Sequence, residues 1–381
     1  MKQRIIYILK HNGFVQKIYK LCFSFIFKFF GKFIKTDENM VLFVSFMGMK
    51  FNDSPKAIYD YIQERDKYKT LKCVWAFDNP ENFPNLNTVK IDTLSYFLTA
   101  LKAKYWVTNT NIERGLTFKK KGTVYLNTEH GTAIKYVGND CPGRKDFNFK
   151  TVDYLCIASE YDRKVFKSAF NVPEESFFPC GRPCDDVLWN ISEEVRNEIR
   201  KKLGIPDNKK VILYAPTWRD SVNGGKTYDI KPPIDLKYWE EQLKDEYILL
   251  FRAHHITTKV LNVSYNDFVR DASGYPDINE LMIAADILVS DYSSVFFDYS
   301  ILEKPMFCFA YDYKEYAKER GMYIDMTKEF SNELCFTENE LLERIKFMDE
   351  EIEKNNTKEF KSKFVQYGGN GIKQCVEKLF G

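Results

Sequence analysis

The chain contains only four histidines, and three of them lie in short polar segments rich in glycine or arginine. His130 sits in EHGTAIK, and His254 and His255 sit in FRAHH. Histidine exchanges a proton near neutral pH more readily than any other side chain. Its scarcity and clustering here point to acid–base chemistry rather than to scattered surface residues. Cations follow the same pattern. Arg219 in APTWRD, with Arg252 and His254 in FRAHH, would offer forked donors to phosphate oxygens, which predicts a pyrophosphate clamp. In SDYSSVFFDYS, Ser293 and Ser294 precede a helix-like run, where hydroxyls and free backbone amides suit a phosphate. Plain N-capping by serine explains the same pattern, and both can hold at once. Thr217 and Asp291 stand at strand ends. Asp298 and Glu303 either meet ribose hydroxyls or face solvent.

These residues need elements to hold them. From Met40, short apolar runs alternate with helical patterns: MVLFVSF, KCVWAFD, YWVTNT, TVYLNTEH and YLCIAS, then KKVILYAP, YILLFRAH, ADILVSDYSS and PMFCFAYD. Such alternation predicts parallel sheets covered on both faces. Most runs end in polar residues, among them Thr108, Asn109 and Thr110. Strand ends of this kind are where open α/β sheets bind ligands. His130 follows TVYLNT, and Gly131 allows close backbone approach. The expected architecture is α/β, with two Rossmann-like domains facing a central cleft. The divisions are a basic segment 1–36, a first domain 37–190, a second domain 191–355 and a closing helix 356–381.

At 381 residues the chain exceeds one ordinary core and suits two domains of about 150 residues. Nine dispersed cysteines lack a CxxC pair and read as buried thiols of a reducing compartment, the cytosol. Walker, GxGxxG, HExxH, EF-hand and zinc spacings are all missing. Asp185–Asp186 alone is weak ground for a cation, so no metal site is assigned and the need for a divalent ion stays open. The first 35 residues carry Lys2, Arg4, Lys10, Lys17, Lys20, Lys28, Lys32 and Lys35 and no acid, while the whole chain is only +2. A basic arm on an acidic body argues against a nucleic-acid groove. The arm's longest uncharged run, Leu21 to Phe27, is far below the ~20 residues of a membrane span. Phenylalanines alternating with lysines predict an amphipathic helix lying on an anionic membrane surface. The competing expectation is a terminal helix packed on the protein's own body.

In order, the segments VLFVSF, NDSPKAIYDYI, AKYWVTN, EHGTAIKYVGND, ILYAPTWRD, FRAHH, DILVSDYSSVFFDYSILEKP, AYDYKEY and RGMY resemble the CDP-glycerol glycerophosphotransferase family of teichoic-acid primases and polymerases, over residues 40–380. The resemblance implies a GT-B fold, peripheral attachment to the cytoplasmic face of the membrane, and transfer of glycerol phosphate from CDP-glycerol to a lipid-linked acceptor. It places His130 as the base of the HGT element. Arg252 and His254 match its RxH element, and Ser293 and Ser294 the serines of DYSS. His255 has no equivalent. The family usually has Trp before HGT and Pro-Leu after it, where this chain has Glu129, Ala133 and Ile134. GRPCDD, with Arg182 and Cys184, replaces the usual G-PR-ND pattern.

The reading is therefore a phosphotransferase. His130 takes a proton from an acceptor hydroxyl, which attacks the β-phosphorus of CDP-glycerol or CDP-ribitol and expels CMP. Arg219, Arg252, His254, Ser293 and Ser294 neutralise the developing charge. Thr217, Asp291, Asp298 and Glu303 hold the nucleoside or alditol. Without a large appended helical domain, single addition is favoured over processive polymerisation. The alternatives are a GT-B glycosyltransferase using a nucleotide sugar, or a non-catalytic membrane adaptor that keeps the fold.

Overall fold

The computed structural model describes residues 12–217, 233–253, 263–330 and 333–381. Two parallel sheets organise them. The first runs β3-β2-β1-β4-β5-β6-β7, from β1 (Asp37–Val44), β2 (Lys72–Phe77), β3 (Thr88–Lys90), β4 (Ala103–Thr108), β5 (Val124–Asn127), β6 (Tyr154–Cys156) and β7 (Phe177–Phe178). The second runs β10-β9-β8-β11-β12-β13, from β8 (Lys210–Tyr214), β9 (Tyr247–Phe251), β10 (Val269–Asp271), β11 (Ile287–Ser290), β12 (Met306–Phe309) and β13 (Leu334–Cys335). The α/β alternation predicted from the sequence is therefore observed in both halves.

Burial explains why the long apolar runs became the central strands. Val41, Leu42, Phe43 and Val44 of β1, Val211, Ile212 and Leu213 of β8, and Ile287, Leu288 and Val289 of β11 are fully enclosed. Strands covered on both faces read as continuous hydrophobic runs. The short edge strands β3, β7, β10 and β13 carry no such signal and were not anticipated.

Each sheet reverses its winding once, between β1 and β4 in the first and between β8 and β11 in the second. At such a reversal the helices on either side diverge and leave a crevice beyond the strands' carboxyl ends. The chain crosses back at its end. Helix Glu350–Phe364 packs on helix Val295–Ser300 of the second half, through Phe297, Phe360 and Phe364. Helix Gly371–Phe380 packs on the first sheet, with Cys375, Val376 and Leu379 beside Val41, Phe43 and Val107.

The basic N-terminal segment forms a helix over Gly13–Gly31, capped by the Asn12 side chain, which accepts from the Phe14 and Val15 amides. Phe27 anchors it, stacked 4.5 Å from the Phe97 ring, and Ser24 Oγ accepts from the Thr117 amide at 2.9 Å. The expected packing of this helix on the protein's own body is thus observed. One stripe packs on the body, while Phe14 (74 % exposed), Leu21, Phe25 (71 %), Phe29, Phe30 and Phe33 stand in solvent. No helix among the described residues is long and apolar enough to cross a membrane.

Candidate functional site

Three loops leave the first sheet around its reversal point, and hydrogen bonds lace them together. Asn109, one residue past β4, accepts from the Phe46 amide beyond β1 through its side-chain oxygen at 2.8 Å. Asn127, the last residue of β5, donates to the Thr110 carbonyl at 2.7 Å and accepts from the Glu129 amide at 2.8 Å. Phe46, Met47 and Gly48 have φ of +44, +55 and +86, and Glu129 has +49. Left-handed backbone at non-glycine residues is strained, and its concentration at these strand ends marks a constrained site.

His130 stands on this frame. Its Nδ1 lies 3.0 Å from the Asn109 carbonyl and 3.1 Å from Glu129 Oε2. A carbonyl only accepts, so the hydrogen-bond network assigns the proton to Nδ1 and leaves Nε2 to act on a substrate. The ring is about half exposed (48 %), whereas the Glu129 side chain is buried. The Glu129 charge pushes the imidazole pKa up to about 9. Hydrogen bonds to Glu129 and Asn109 and the charge of Asp53 add to the rise, and burial opposes it.

The next residue brings the two halves together. Gly131 has φ +150, and a Cβ at that position would sit 2.9 Å from Ser294 Oγ. The histidine loop and the serine pair, 163 positions apart in sequence, are therefore in direct apposition. Residues beyond Gly131 continue onto the second half: the Tyr323 amide donates to the Ile134 carbonyl at 2.8 Å, the Tyr136 amide to the Gly321 carbonyl at 3.1 Å, and Lys135 Nζ to Tyr316 Oη at 2.9 Å.

In the second half the predicted residues gather at the matching reversal point. Asp291, just past β11, accepts from the Thr217 amide beyond β8 at 2.9 Å and from the Tyr292 amide at 2.7 Å. Ser293 Oγ accepts from the Val295 amide at 3.3 Å, the capping role weighed from the sequence. Ser294 makes no cap bond to the helix Val295–Ser300. Arg252 follows β9, and its Nη1 donates to the Ala272 and Tyr275 carbonyls at 2.9 and 2.7 Å, which fixes the guanidinium beside the same strand ends. Arg219, His254 and His255 lie outside the described residues.

Two expected ligand contacts are otherwise engaged. Asp298 is held 2.7 Å from Arg182 Nη1, and the same guanidinium reaches Asp53 at 3.1 Å and Asp185 at 3.2 Å. Glu303 ion-pairs with Lys361 at 2.7 Å. It lies past the end of the helix whose start carries Ser294. Local spacing could not show either partner, because both come from distant parts of the chain. Asp185 and Asp186 are likewise occupied, the second by the Gly371 and Ile372 amides at 2.9 and 2.7 Å. Among the described residues, the one group that could hold a metal ion is the buried trio Cys156, Cys180 and Cys375, within the core of the first half.

Sequence reasoning missed the roles of Glu129, the Asn109 carbonyl and Arg182. An acid directly before a lone histidine, and a single arginine in an acidic turn, were the available signals.

Residues 26–380 match the family model described as CDP-glycerol:poly(glycerophosphate) glycerophosphotransferase. The chain is 37% identical over 331 residues to the teichoic acid poly(glycerol phosphate) polymerase of Staphylococcus epidermidis, covering 81% of this chain and 45% of that protein. It thus spans under half the length of that relative. Against the polymerase of the same description from Bacillus spizizenii, identity is 33% over 405 positions, covering 100% of each. A solved structure of the wall teichoic acid polymerase TagF matches with a TM-score of 0.82 and 32% identity, over 99% of this chain and 97% of that one. A UDP-GlcNAc 2-epimerase from Neisseria meningitidis, at TM-score 0.53 and 14% identity, shares the fold alone. With the histidine loop facing the serine pair across the two sheets, and a family model matching nearly the full length, this chain belongs to the CDP-glycerol:poly(glycerophosphate) glycerophosphotransferase family.

Proposed function

We propose that the protein transfers glycerol phosphate, or a related alditol phosphate, from CDP-glycerol to a hydroxyl of a lipid-linked acceptor and releases CMP, in the synthesis of a teichoic-acid or capsule-type polymer. The observation that carries this reading is the apposition of Gly131 and Ser294, which brings the loop carrying the half-exposed His130 against the serine pair of the second half. Phosphoryl transfer needs little covalent help from a protein. It needs alignment and donors for the phosphate oxygens. Ser293, Ser294 and Arg252 supply donors on one side, with Arg219 and His254 assigned to the same clamp from the sequence. Thr217 and Asp291 are assigned to the nucleoside or alditol from the sequence, and the Asp291 carboxylate accepts from the Thr217 amide. The half formed by 191–355 holds the donor nucleotide, and 37–190 holds the acceptor.

His130 serves as the base. It takes the acceptor proton on Nε2 as the oxygen attacks the β-phosphorus, and CMP departs on the opposite side in line. The exposed aromatic stripe of the N-terminal helix, with Lys17, Lys28, Lys32 and Lys35 nearby, rests on the anionic cytoplasmic face of the membrane and brings the cleft to lipid-borne acceptors. Relatives that include glycerol-phosphate polymerases and a glycerol-phosphate transferase support glycerol as the alditol.

Calorimetric titration with CDP-glycerol separates the two sides of the cleft. The double variant Ser293→Ala/Ser294→Ala is expected to lose at least tenfold in affinity, since hydrogen bonds to a charged group contribute about 1.5–3 kcal/mol each. His130→Ala is expected to bind the donor and release no CMP. Donor affinity unchanged by loss of both serines would remove them from the phosphate site.

A further inference from the structure

Glu129 stands where the family resemblance leads one to expect tryptophan, and its backbone is strained to put an acid there. In an extended strand, neighbouring side chains point to opposite faces. Here φ of +49 at Glu129 turns its side chain back to the side of His130, with the amide fixed by Asn127 Oδ1 at 2.8 Å. As a result Oε2 lies 3.1 Å from His130 Nδ1 and 3.3 Å from the His130 amide, and the carboxylate is shielded from water. The Asn109 carbonyl lies 3.0 Å from the same Nδ1, and the Phe46 ring meets the imidazole edge-on at 5.7 Å.

We propose that Glu129 is a positioning residue for the transfer: with the Asn109 carbonyl it fixes His130 in the Nδ1–H tautomer, presents Nε2 to the acceptor hydroxyl and stabilises the imidazolium formed in the reaction. The inference depends on His130 being the base. In the step, the acceptor O–H bond breaks and its proton bonds to Nε2. The oxygen forms a bond to the β-phosphorus while the bond from that phosphorus to CMP breaks, its electron pair leaving with CMP. The proton then passes from Nε2 to solvent, and Nδ1 keeps its own throughout.

The acidic groups near the ring act in one direction, and a cation stands on the far side of Phe46. Asp53 faces it from the helix Asp53–Gln63 and is held by Arg182, and Asp162 lies behind Glu129. The Lys50 ammonium sits over the far Phe46 ring at 5.1 Å. Glu129 is the largest cause of the rise of His130 to about 9 from its ordinary 6.5. The unliganded enzyme therefore holds an imidazolium at neutral pH. On its acid limb kcat/KM is expected to climb tenfold per pH unit towards about pH 9, as the base form appears.

The test combines histidine 15N NMR titration of the full chain with the pH profile of CMP release, for wild type, Glu129→Gln and Glu129→Asp, using His130→Gln to assign the resonance. The expected result is a wild-type His130 titration well above 6.5. Both the titration and the acid limb should then move down by at least one pH unit in Glu129→Gln and by less in Glu129→Asp. A wild-type His130 that titrates near 6.5 overturns the proposal without any variant. If His130→Gln abolishes turnover but the titration stays put in both Glu129 variants, the proposal falls and the base assignment survives. If the titration moves and the pH profile does not, His130 is not the base and both fall.

Discussion

Arg182 is the residue whose removal the structure prices most clearly. Its guanidinium lies 2.7 Å from Asp298, 3.1 Å from Asp53 and 3.2 Å from Asp185, joining the first half to the second. All four side chains are largely buried. Burial pushes the Asp185 carboxyl above the usual carboxylate range, and the Arg182 charge beside it opposes that rise. Arg182→Met keeps most of the stem volume and deletes the charge. Breaking a buried ion pair from one side costs about 3–5 kcal/mol, because the stranded partner stays desolvated. Urea unfolding of the purified variant should show a loss of that size, from whichever half unfolds first. A loss under about 1 kcal/mol, typical of a surface pair, would refute the buried-clamp argument. The same experiment decides the role of Asp298. Asp298→Asn is expected to cost about 1.5–3 kcal/mol of stability through its charge-assisted bond, with CDP-glycerol affinity unchanged. Weaker donor binding at full stability would return Asp298 to the nucleoside site.

Three further outcomes follow from particular contacts. Gly131→Ala places a methyl 2.9 Å from Ser294 Oγ at φ +150, so the loop must shift. With folding intact by circular dichroism, kcat/KM should fall about a hundredfold, the scale of an ångström-sized misplacement. Replacing Phe14, Phe25 and Phe29 by serine should weaken sedimentation with phosphatidylglycerol vesicles at least hundredfold, since each buried ring contributes about 1.5–3 kcal/mol, while circular dichroism stays that of the wild type because Phe27 keeps the helix docked. Asp162 is buried, and burial raises its carboxyl from 3.8 to about 7. The folded state thus holds this proton more tightly than the unfolded one. Stability from this group is greatest below pH 4 and is lost as pH rises to 7, by about 4 kcal/mol at most. Asp162→Asn should flatten that slope in urea unfolding at pH 5 and pH 8.

The sheets were legible because central strands, covered on both faces, are written as unbroken runs such as MVLFVSF and KKVILYAP. Their polar ends were legible for the same reason: a strand that stops being apolar has reached the sheet edge. Thr217, Asp291 and Arg252 were read that way, and they gather at one reversal point with Ser293 and Ser294, which were read from the helix-like run after them. Short edge strands such as Phe177–Phe178 carry too few residues for a pattern. The ion pairs of Asp298 and Glu303 were not legible, because their partners, Arg182 and Lys361, lie 116 and 58 positions away and nothing local reports an ion pair at that range. Glu129 was visible only as a departure from the family pattern. Its effect on His130 needs a left-handed backbone, which an ordinary residue type does not announce.

The most direct measurement is nucleotide release by the purified chain given CDP-glycerol and a membrane-lipid extract, with CDP-ribitol and UDP-sugars in parallel. The account predicts CMP from CDP-glycerol, with incorporation of glycerol phosphate into lipid, and neither with His130→Ala. Turnover of a UDP-sugar with CDP-glycerol left intact would contradict it, as would undiminished CMP release by His130→Ala.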